Sequence, residues 1–439
     1  MEVLVKVVQL IVSLSILVIV HEFGHFILAK LFNTRVEKFY LFFNPGFSLF
    51  RFRKGETEYG MGWLPLGGYV KISGMIDESM DKDQMQKPPQ PHEFRSKPAW
   101  QRLLIMVGGV IMNFLLAVLI YASVLFAWGE QYLPADNARY GIAADSLAER
   151  IGFQDGDKIV SVEGKSVTRF NEIPKTILLE KANQVTVERN GEPRQIYIPD
   201  SLYSKIVNNP GFISLRIPSI IEGFSEDSPA RQAGLQPGDR IVKVNGNDVQ
   251  FMDQLRKVLS DKKNEKISVS VKREGETKSY SLRTTQEGLI GFYAGSLEEH
   301  FQLENKRYSF IAAVPAGIDK GIETMSEYLK QLGLIFTPDT ELYKEVGGFI
   351  TIGKIFPGSW SWYAFWNLTA FLSIILGILN ILPIPALDGG HVMFLVYEIV
   401  SGQKPSEKFL EYAQIAGMLI LFSILIYANG NDIVKLFSN

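Results

Sequence analysis

Residues 21–25, His-Glu-Phe-Gly-His, are the part of the sequence whose residue types and spacing best suit catalysis. On a helix, His21 and His25 lie four residues apart on one face, where both imidazoles can bind a single Zn²⁺. Glu22 would then flank the open coordination position and could take a proton from a water molecule there. The alternative is a set of polar residues buried between helices. Because the chain has only five histidines, the spacing favours the metal site.

A second group of candidate residues lies between positions 380 and 391. Pro383 and Pro385 break a helix there, and broken backbone at membrane depth is tolerated where it lines a polar cavity. Asp388 can be the third metal ligand, which leaves the fourth position for water. His391 competes for that role, and otherwise lies beside the site or caps a helix. Asn380 is a candidate donor to substrate or to an oxyanion, or else it caps the broken helix.

Four apolar segments must position these residues. With 439 residues, 46% of them hydrophobic, the chain fits a polytopic membrane protein with soluble inserts. An ionisable group near the centre of a span costs about 2.5–3.5 kcal/mol, so three such residues in the apolar helix around His21 need a compensating reason, and a bound metal is the favoured one. The expected transmembrane helices are residues 1–33, 101–129, 346–384 and 411–431, the first of them uncleaved.

The composition excludes several kinds of chemistry. The sequence has no cysteine, so disulfides, cysteine-ligated zinc and a cysteine nucleophile are excluded. Metal binding is left to histidine, aspartate and glutamate. A net charge of −2 gives no case for a nucleic-acid partner.

Residues 34–100 are expected to form a cytoplasmic, membrane-reentrant β segment. Eleven lysines and arginines lie between positions 35 and 102, which places this region in the cytoplasm and both termini outside. From residue 59 to residue 72, aromatic, aliphatic and glycine residues alternate as in short strands. Tyr69 and Val70 could offer a free strand edge to an unwound substrate, or the hairpin only covers the site.

The second apolar segment contains Gly109 and Asn113. A glycine four residues before a polar residue lets two helices approach closely, and Asn113 can hydrogen-bond across the gap. Two interpretations remain open: helix packing, and a place beside the active site.

Between the second and third spans the chain contains an internal repeat, in which residues 146–167 match residues 228–249. Each copy predicts a short helix ended by glycine, a Gly-Asp turn, an Ile-Val-x-Val strand and a tight turn. The pattern resembles the circularly permuted PDZ domains of bacteria. We expect one such domain at residues 130–208 and a second at residues 209–296.

The two copies differ in their expected ligand binding. Gly211 and Phe212 resemble the carboxylate-binding loop of the second PDZ domain, where peptide C-termini could bind. The first copy has Glu163 where the second has Asn245, and it shows no clear equivalent of that loop. Of the remaining segments, residues 297–345 are expected to be amphipathic and interfacial, and residues 385–410 a loop carrying the Leu-Asp-Gly motif.

Several motifs together, in chain order, resemble the bacterial site-2 proteases, in particular the regulator of sigma E protease type. They are the motif at 21–25, Trp-Leu-Pro-Leu-Gly-Gly-Tyr-Val-Lys at 63–71, Gly-x-x-x-Asn at 109–113, the tandem PDZ-like repeat and Asn-x-x-Pro-x-Pro-x-Leu-Asp-Gly at 380–389. The likeness covers essentially the whole chain. It implies a polytopic α-helical membrane protein with four transmembrane helices, a membrane-associated β-hairpin sheet and two inserted PDZ domains.

The resemblance also implies a function. An intramembrane zinc metalloprotease would reside in the bacterial inner membrane, with its PDZ domains on the periplasmic side. Its substrates would be single-span membrane proteins such as anti-sigma factors, and remnant signal peptides, within the lipid bilayer. Two rivals remain: a non-catalytic PDZ scaffold with structural zinc, which would not need Glu22, and a metal transporter. A transporter would want ionisable residues along several spans, and the fourth span has none between Ile415 and Tyr427.

Overall fold

The computed structural model describes residues 1–75, 88–337 and 340–437. The chain divides into two compact units. The membrane unit comprises Met1–Gly129, Arg307–Phe336 and Tyr343–Asn439, and the lobed unit comprises Glu130–Lys306 and Thr337–Leu342. Residues 76–87, which belong to the expected β segment, lie outside the described residues.

The first part of the membrane unit consists of two long helices with a sheet between them in sequence. The helices are α1 (Glu2–Leu31) and α2 (Ala99–Trp128), and the strands are β1 (Val36–Phe43), β2 (Phe50–Lys54), β3 (Thr57–Met61) and β4 (Leu64–Ile72). The strand order is β2-β3-β1-β4, with β1 parallel to β3 and antiparallel to β4. Among the described strands, β4 therefore pairs on one side only.

The lobed unit contains two lobes built on the same plan. The first lobe has β6 (Ile142–Ala144), α3 (Ser146–Ile151), β7 (Lys158–Val162), β8 (Lys165–Ser166), α4 (Glu172–Leu179), β9 (Gln184–Arg189), β10 (Glu192–Tyr197), α5 (Asp200–Val207) and β11 (Ile213–Leu215), and it is preceded by β5 (Glu130–Tyr132). The second has β12 (Gly223–Phe224), α6 (Pro229–Gln232), β13 (Arg240–Val244), β14 (Asn247–Asp248), α7 (Met252–Leu259), β15 (Lys266–Arg273), β16 (Glu276–Arg283) and β17 (Phe292–Tyr293). It is followed by α8 (Leu297–His300) and β18 (Glu304–Lys306), and β18 pairs antiparallel with β5.

Each lobe repeats one buried ion pair. Asp157 pairs with Arg189 at 2.7 Å in the first lobe, and Asp239 pairs with Arg273 at 2.6 Å in the second. In both lobes the arginine also donates to the carbonyl of the glycine that ends the short helix. The pair therefore joins the Gly-Asp turn to a strand in both copies, which the sequence repeat alone does not reveal.

Glu163 and Asn245, the position at which the two copies differ in sequence, have the same structural role. Both adopt positive φ, 50° and 49°. Glu163 accepts from the backbone N–H of Gln184, and Asn245 accepts from that of Ser268. A side-chain oxygen of either residue type can satisfy a strand N–H, so this difference does not set the lobes apart.

The boundary between the lobes lies further along the chain than the sequence suggests. Strand β11 pairs antiparallel with β6 of the first lobe. Phe212 is fully buried in the core of that lobe, against Phe153, and its carbonyl accepts from the backbone N–H of Asp145. The expected boundary between residues 208 and 209 is therefore wrong, and so is the assignment of Gly211 and Phe212 to the second lobe. These residues close the first lobe, because their strand partner lies far upstream.

The second part of the membrane unit is helical. Its helices are α9 (Phe310–Ile335), α10 (Phe349–Ile355), α11 (Trp362–Ile381), α12 (Asp388–Ser401) and α13 (Glu407–Phe437). The expectation of a loop over residues 385–410 is wrong, since α12 occupies most of that range. In the range 346–384, a short helix precedes the apolar one.

Four of the described helices are long and apolar enough to cross a membrane: Glu2–Leu31, Ala99–Trp128, Trp362–Ile381 and Lys408–Phe437. Helix α9 packs along α2, where a Cβ atom on Gly317 would lie 2.6 Å from the backbone nitrogen of Ala122. Met325 and Tyr328 of α9 pack against the apolar cluster that joins α2 to α11. The expected amphipathic segment is thus a helix held against the bundle by one face.

Candidate metal centre

Close packing of α1 on α2 brings the histidines to their position. A Cβ atom on Gly24 would lie 2.2 Å from the carbonyl oxygen of Gly108, so the two backbones touch at this point. A Cβ atom on Gly109 would lie 2.5 Å from Nε2 of His25 and 2.6 Å from Cε1 of His21. Side chains larger than hydrogen at these glycines would push the helices apart or displace the imidazoles.

Three potential ligand atoms converge on one point. Oδ2 of Asp388 lies 3.1 Å from Nε2 of His21 and 3.2 Å from Nε2 of His25, and the two Nε2 atoms are 3.2 Å apart. Ligands about 2.0–2.1 Å from a tetrahedral zinc ion are separated by roughly 3.3 Å, so this spacing suits zinc. Oδ2 of Asp388 is buried without a hydrogen-bond partner among the described residues, as expected of an atom that binds a metal.

The outer nitrogens of both imidazoles are held by the protein. Nδ1 of His25 lies 2.8 Å from the carbonyl oxygen of Ile105 and must donate to it, which leaves Nε2 free of hydrogen for a metal. Nδ1 of His21 lies 3.1 Å from the side-chain amide of Asn113, whose Oδ1 is buried without a partner among the residues that the structure describes. Turning that amide over would let Oδ1 accept from Nδ1–H of His21, which fixes the tautomer that leaves Nε2 free of hydrogen. Asn113 thus lies beside the active site, one of the two interpretations of its motif.

Asp388 is positioned by a break between two helices. Helix α11 ends at Ile381, and α12 begins at Asp388 itself. The break is tightly packed: a Cβ atom on Gly389 would lie 2.2 Å from the carbonyl oxygen of Leu382, and one on Gly390 would lie 2.6 Å from that of Ile384. Pro383 and Pro385 lie within this break, where they cannot continue a helix.

Asn380 and His391 lie at different positions relative to the ligands. Nδ2 of Asn380 is 3.2 Å from Nε2 of His21, so this amide lies beside one of the three converging ligand atoms. His391 lines the same cavity as Asp388 but does not belong to the group of three converging ligand atoms. Of the two residues that compete for the third ligand position, the structure brings Asp388 to it.

The ligands open into a cavity of about 460 Å³. Its walls include Glu22, the strand β4 and the helix break, and its lining contains Gly68, Tyr69, Val70, Lys71, Ile72, Ala386, Leu387, His391 and Gln414. Glu22 thus shares the cavity with the three ligands, as a proton-transferring residue must. Gly211 and Phe212 do not line it.

Every second residue of β4 directs its backbone N–H and C=O groups to the unpaired edge of the strand. The carbonyl of Leu41 accepts from the backbone N–H of Gly62 at 2.8 Å, so Leu41 directs its carbonyl away from β4. Leu41 faces Gly68 across the β1–β4 pair, and Phe39 faces Val70 two residues along. Because backbone groups alternate sides along an antiparallel pair, Gly68 and Val70 direct their N–H and C=O groups to the open edge.

The sequence did not point to three features of the site. Gln414 of α13 lines the cavity, and Gly417 of the same helix packs against the carbonyl of Pro385. A polar residue at the start of an apolar span was the available signal for Gln414. The backbone contact of Ile105 with His25 carries no sequence signal, since any residue has a carbonyl.

The fold and the site together define a class of protein. One cavity contains two histidines and a glutamate from the membrane-length helix α1 and an aspartate from the start of the shorter helix α12, which is the arrangement of a membrane-embedded metallopeptidase. A model of peptidase family M50 matches residues 9–424. The chain therefore belongs to this family, and the expectation of a zinc metalloprotease is confirmed.

Relatives in several bacteria match nearly the whole chain. The regulator of sigma E protease of Haemophilus influenzae is 28% identical over 97% of this chain and 98% of its own length. Protease RseP of Yersinia pestis is 29% identical over 99% of this chain and all 100% of its own. A protein of Treponema pallidum named as a zinc metalloprotease is 27% identical over 99% of this chain and 100% of its own. The expected resemblance to site-2 proteases is confirmed.

Proposed function

We propose that this protein is an intramembrane zinc endopeptidase that hydrolyses peptide bonds within transmembrane segments. The observation that carries the proposal is the convergence of His21, His25 and Asp388, with mutual distances of 3.1–3.2 Å, in a cavity that Glu22 also lines. Three protein ligands leave one position open, which distinguishes a catalytic zinc site from a structural one.

The chemistry follows from the side chains around the ligands. A zinc ion bound by the three ligands would lower the pKa of a water molecule toward about 7. Glu22 accepts the proton of the attacking water and returns a proton to the leaving amine. The Asn380 amide, 3.2 Å from Nε2 of His21, can donate to the oxygen on which negative charge develops. Asn113 and the carbonyl of Ile105 keep the two imidazoles oriented.

We further propose that the substrate segment unwinds and adds to β4. In a bilayer, each backbone group left unpaired by unwinding costs several kcal/mol, so cleavage needs a partner for the substrate main chain. The outward groups of Gly68 and Val70 provide such partners at an edge that lines the cavity. Tyr69, between them, donates from its hydroxyl to Asn44 and stacks on Tyr40, which holds the strand in place.

The two lobes are proposed to be PDZ domains that restrict access to the site. The three candidate ligands all belong to the membrane unit, so the lobes supply no ligand to the metal. We place the protein in the inner membrane of a bacterium. The distribution of positive charge along the chain puts the lobes and both termini on the non-cytoplasmic side of that membrane. The Haemophilus relative is named a regulator of sigma E protease, and we propose substrates of that kind here: anti-sigma factors and other single-span proteins, and remnant signal peptides.

One experiment tests the proposal as a whole. Zinc content and cleavage of a reporter transmembrane segment are measured for the purified protein and for its Glu22→Gln form. The proposal expects about one zinc per chain in both proteins and cleavage only by the first. A scaffold with structural zinc would cleave nothing in either form.

A further inference from the structure

Gln414 is a buried amide whose role the proposed chemistry does not explain. It is 5% exposed and lies on α13, a helix long and apolar enough to cross a membrane. Within the part of the chain that the structure describes, its side chain has no hydrogen-bond partner. Its amide atoms are not among the fully buried ones without a partner, so the amide is open to the cavity that it lines and is available to a ligand there.

Gln9 gives a partial contrast, because the described residues satisfy its amide nitrogen but not its amide oxygen. Gln9, on α1, is fully buried and donates from Nε2 to the carbonyl of Pro357 at 2.9 Å. Gln414 lines the cavity that contains Glu22 and Asp388. Gln414 therefore has neither a donor nor an acceptor among the described residues, and it lies where a substrate would bind.

Helix packing fixes Gln414 in this position. Gly417, three residues further along and on the same face of α13, is in direct backbone contact with Pro385, in the break that precedes Asp388. No side chain larger than hydrogen fits between them. The face of α13 that carries Gln414 is thus held against the segment that positions the third ligand.

We propose that Gln414 is a substrate-binding residue whose amide hydrogen-bonds the main chain of the unwound substrate within the cavity. A carboxamide offers both a donor and an acceptor, which match the C=O and N–H of a peptide. Strand β4 pairs with one edge of an extended substrate and leaves the other edge unpaired, and Gln414 satisfies groups on that second edge. This inference rests on the proposed function, since it assigns a residue to the binding step of that reaction.

The test compares Gln414→Met with the unchanged protein in lipid nanodiscs. Methionine keeps the length and approximate volume of glutamine but removes the amide, so the helix packing is preserved. We expect kcat/KM for a reporter transmembrane segment to fall about 3- to 10-fold, the range that one neutral hydrogen bond contributes. Zinc content and thermal unfolding should not change. The control is Gln403→Met, the same substitution at an exposed glutamine, which should cleave at the unchanged rate.

Substrates in which one peptide bond is replaced by an ester can distinguish a substrate-binding role of Gln414 from a role in helix packing. An ester removes one N–H and weakens the neighbouring carbonyl as an acceptor, so it disrupts either hydrogen bond. At one position near the cleaved bond, the ester should slow the unchanged protein and have little further effect on Gln414→Met. A purely structural role predicts the same loss with every ester, and that result, or full activity of Gln414→Met, would overturn the inference.

Two further arms keep the outcome decisive. If Gln414→Met loses zinc, the ester series is repeated with Gln414→Asn, which keeps an amide in the cavity but shortens its reach. Coupling at one ester position then supports the inference, and its absence overturns it. An unchanged protein that cleaves no reporter overturns the proposed function itself, whereas an active protein indifferent to position 414 overturns this inference alone.

Discussion

Gly109 of α2 lies directly against His25 of α1, so that a Cβ atom on the glycine would come within 2.5 Å of the imidazole Nε2. The second span can pack directly against the metal centre at this point because glycine has no side chain. It explains why a glycine stands at this position of the second span: the ligand nitrogen itself occupies the space.

We predict that Gly109→Ala will weaken zinc binding by roughly 10- to 100-fold, the range seen when groups that orient metal ligands are disturbed. The added methyl group must displace an imidazole or separate the helices, and it cannot do so by moving a flexible side-chain end. Zinc titration of the purified protein measures the effect. Gly430→Ala in α13, where a Cβ atom would meet no described atom within 4 Å, is the matched control and should bind zinc normally. Equal zinc affinity in both variants would contradict the contact.

Glu22→Gln should retain about one zinc per chain and lose cleavage, because the role proposed for Glu22 is to transfer protons and not to bind the metal. Asp388→Ala and His21→Ala should lose both zinc and activity, since each removes one of three ligands. Metal analysis beside a cleavage assay separates the two behaviours. Full activity of Glu22→Gln would show that another group moves the proton.

Val70→Pro should slow cleavage of a stable substrate helix, because proline removes the N–H that Val70 directs to the open edge of β4. The substitution spares the β1–β4 hydrogen bonds, which belong to the alternate residues. A substrate with Gly or Pro near its cleavage site should be slowed less, since it unwinds more easily.

The control for this prediction is Val70→Ala, which shortens the side chain and keeps the N–H. Rates for the stable and the helix-broken substrates are compared at equal zinc content and expression. If proline slows both substrates equally, the strand has a general structural role and does not pair with substrate.

Deleting residues 135–295 and rejoining the chain should permit cleavage of substrates that still carry large ectodomains, if the lobes act as a size filter. Strands β5 and β18 lie on either side of the deleted range and pair with each other, so the two chain segments to be rejoined are already held together. Cleavage of trimmed and untrimmed versions of one substrate is measured. A folded deletion protein that still requires trimming would exclude the filter.

The second lobe should lose stability in acid through Asp239. Burial alone would raise the pKa of this carboxyl, but the hydrogen bonds from Arg273 and from the backbone N–H of Gln236, together with the charges of Arg273 and Lys278, outweigh burial and hold its pKa below the usual range. A lowered pKa in the folded state stabilises the lobe above the unfolded value of about 3.9. This contribution is lost as the pH falls through the lower, folded value.

Hydrogen exchange of β13 and β15 in the full-length protein, corrected for intrinsic rates, can follow this acid loss. Asp239→Asn should exchange faster at neutral pH and show a smaller acid-dependent change. Asp248→Asn, at an exposed carboxyl of the same lobe that pairs loosely with Lys243, is the control and should leave both unchanged. A full acid-dependent change in Asp239→Asn would assign the loss to another group.

The sequence by itself determined the local part of the site. The spacing of His21 and His25 is a property of any helix, and the apolar lengths of the four spans follow from bilayer thickness. The depth of Asp388 could be inferred from the order of the spans alone. Residue types at fixed spacing therefore predict the kind of metal, its ligands and the class of reaction.

Only the tertiary structure decided which distant segments meet. The pairing of β11 with β6 places Phe212 in the first lobe, and the order of the sheet leaves β4 at its edge. The contacts of Gly109 and Asn113 with the histidines, and the burial of Gln414, depend on how helices pack. Such contacts join residues far apart in sequence, and their energies come from packing and hydrogen bonding across elements, which no local pattern encodes.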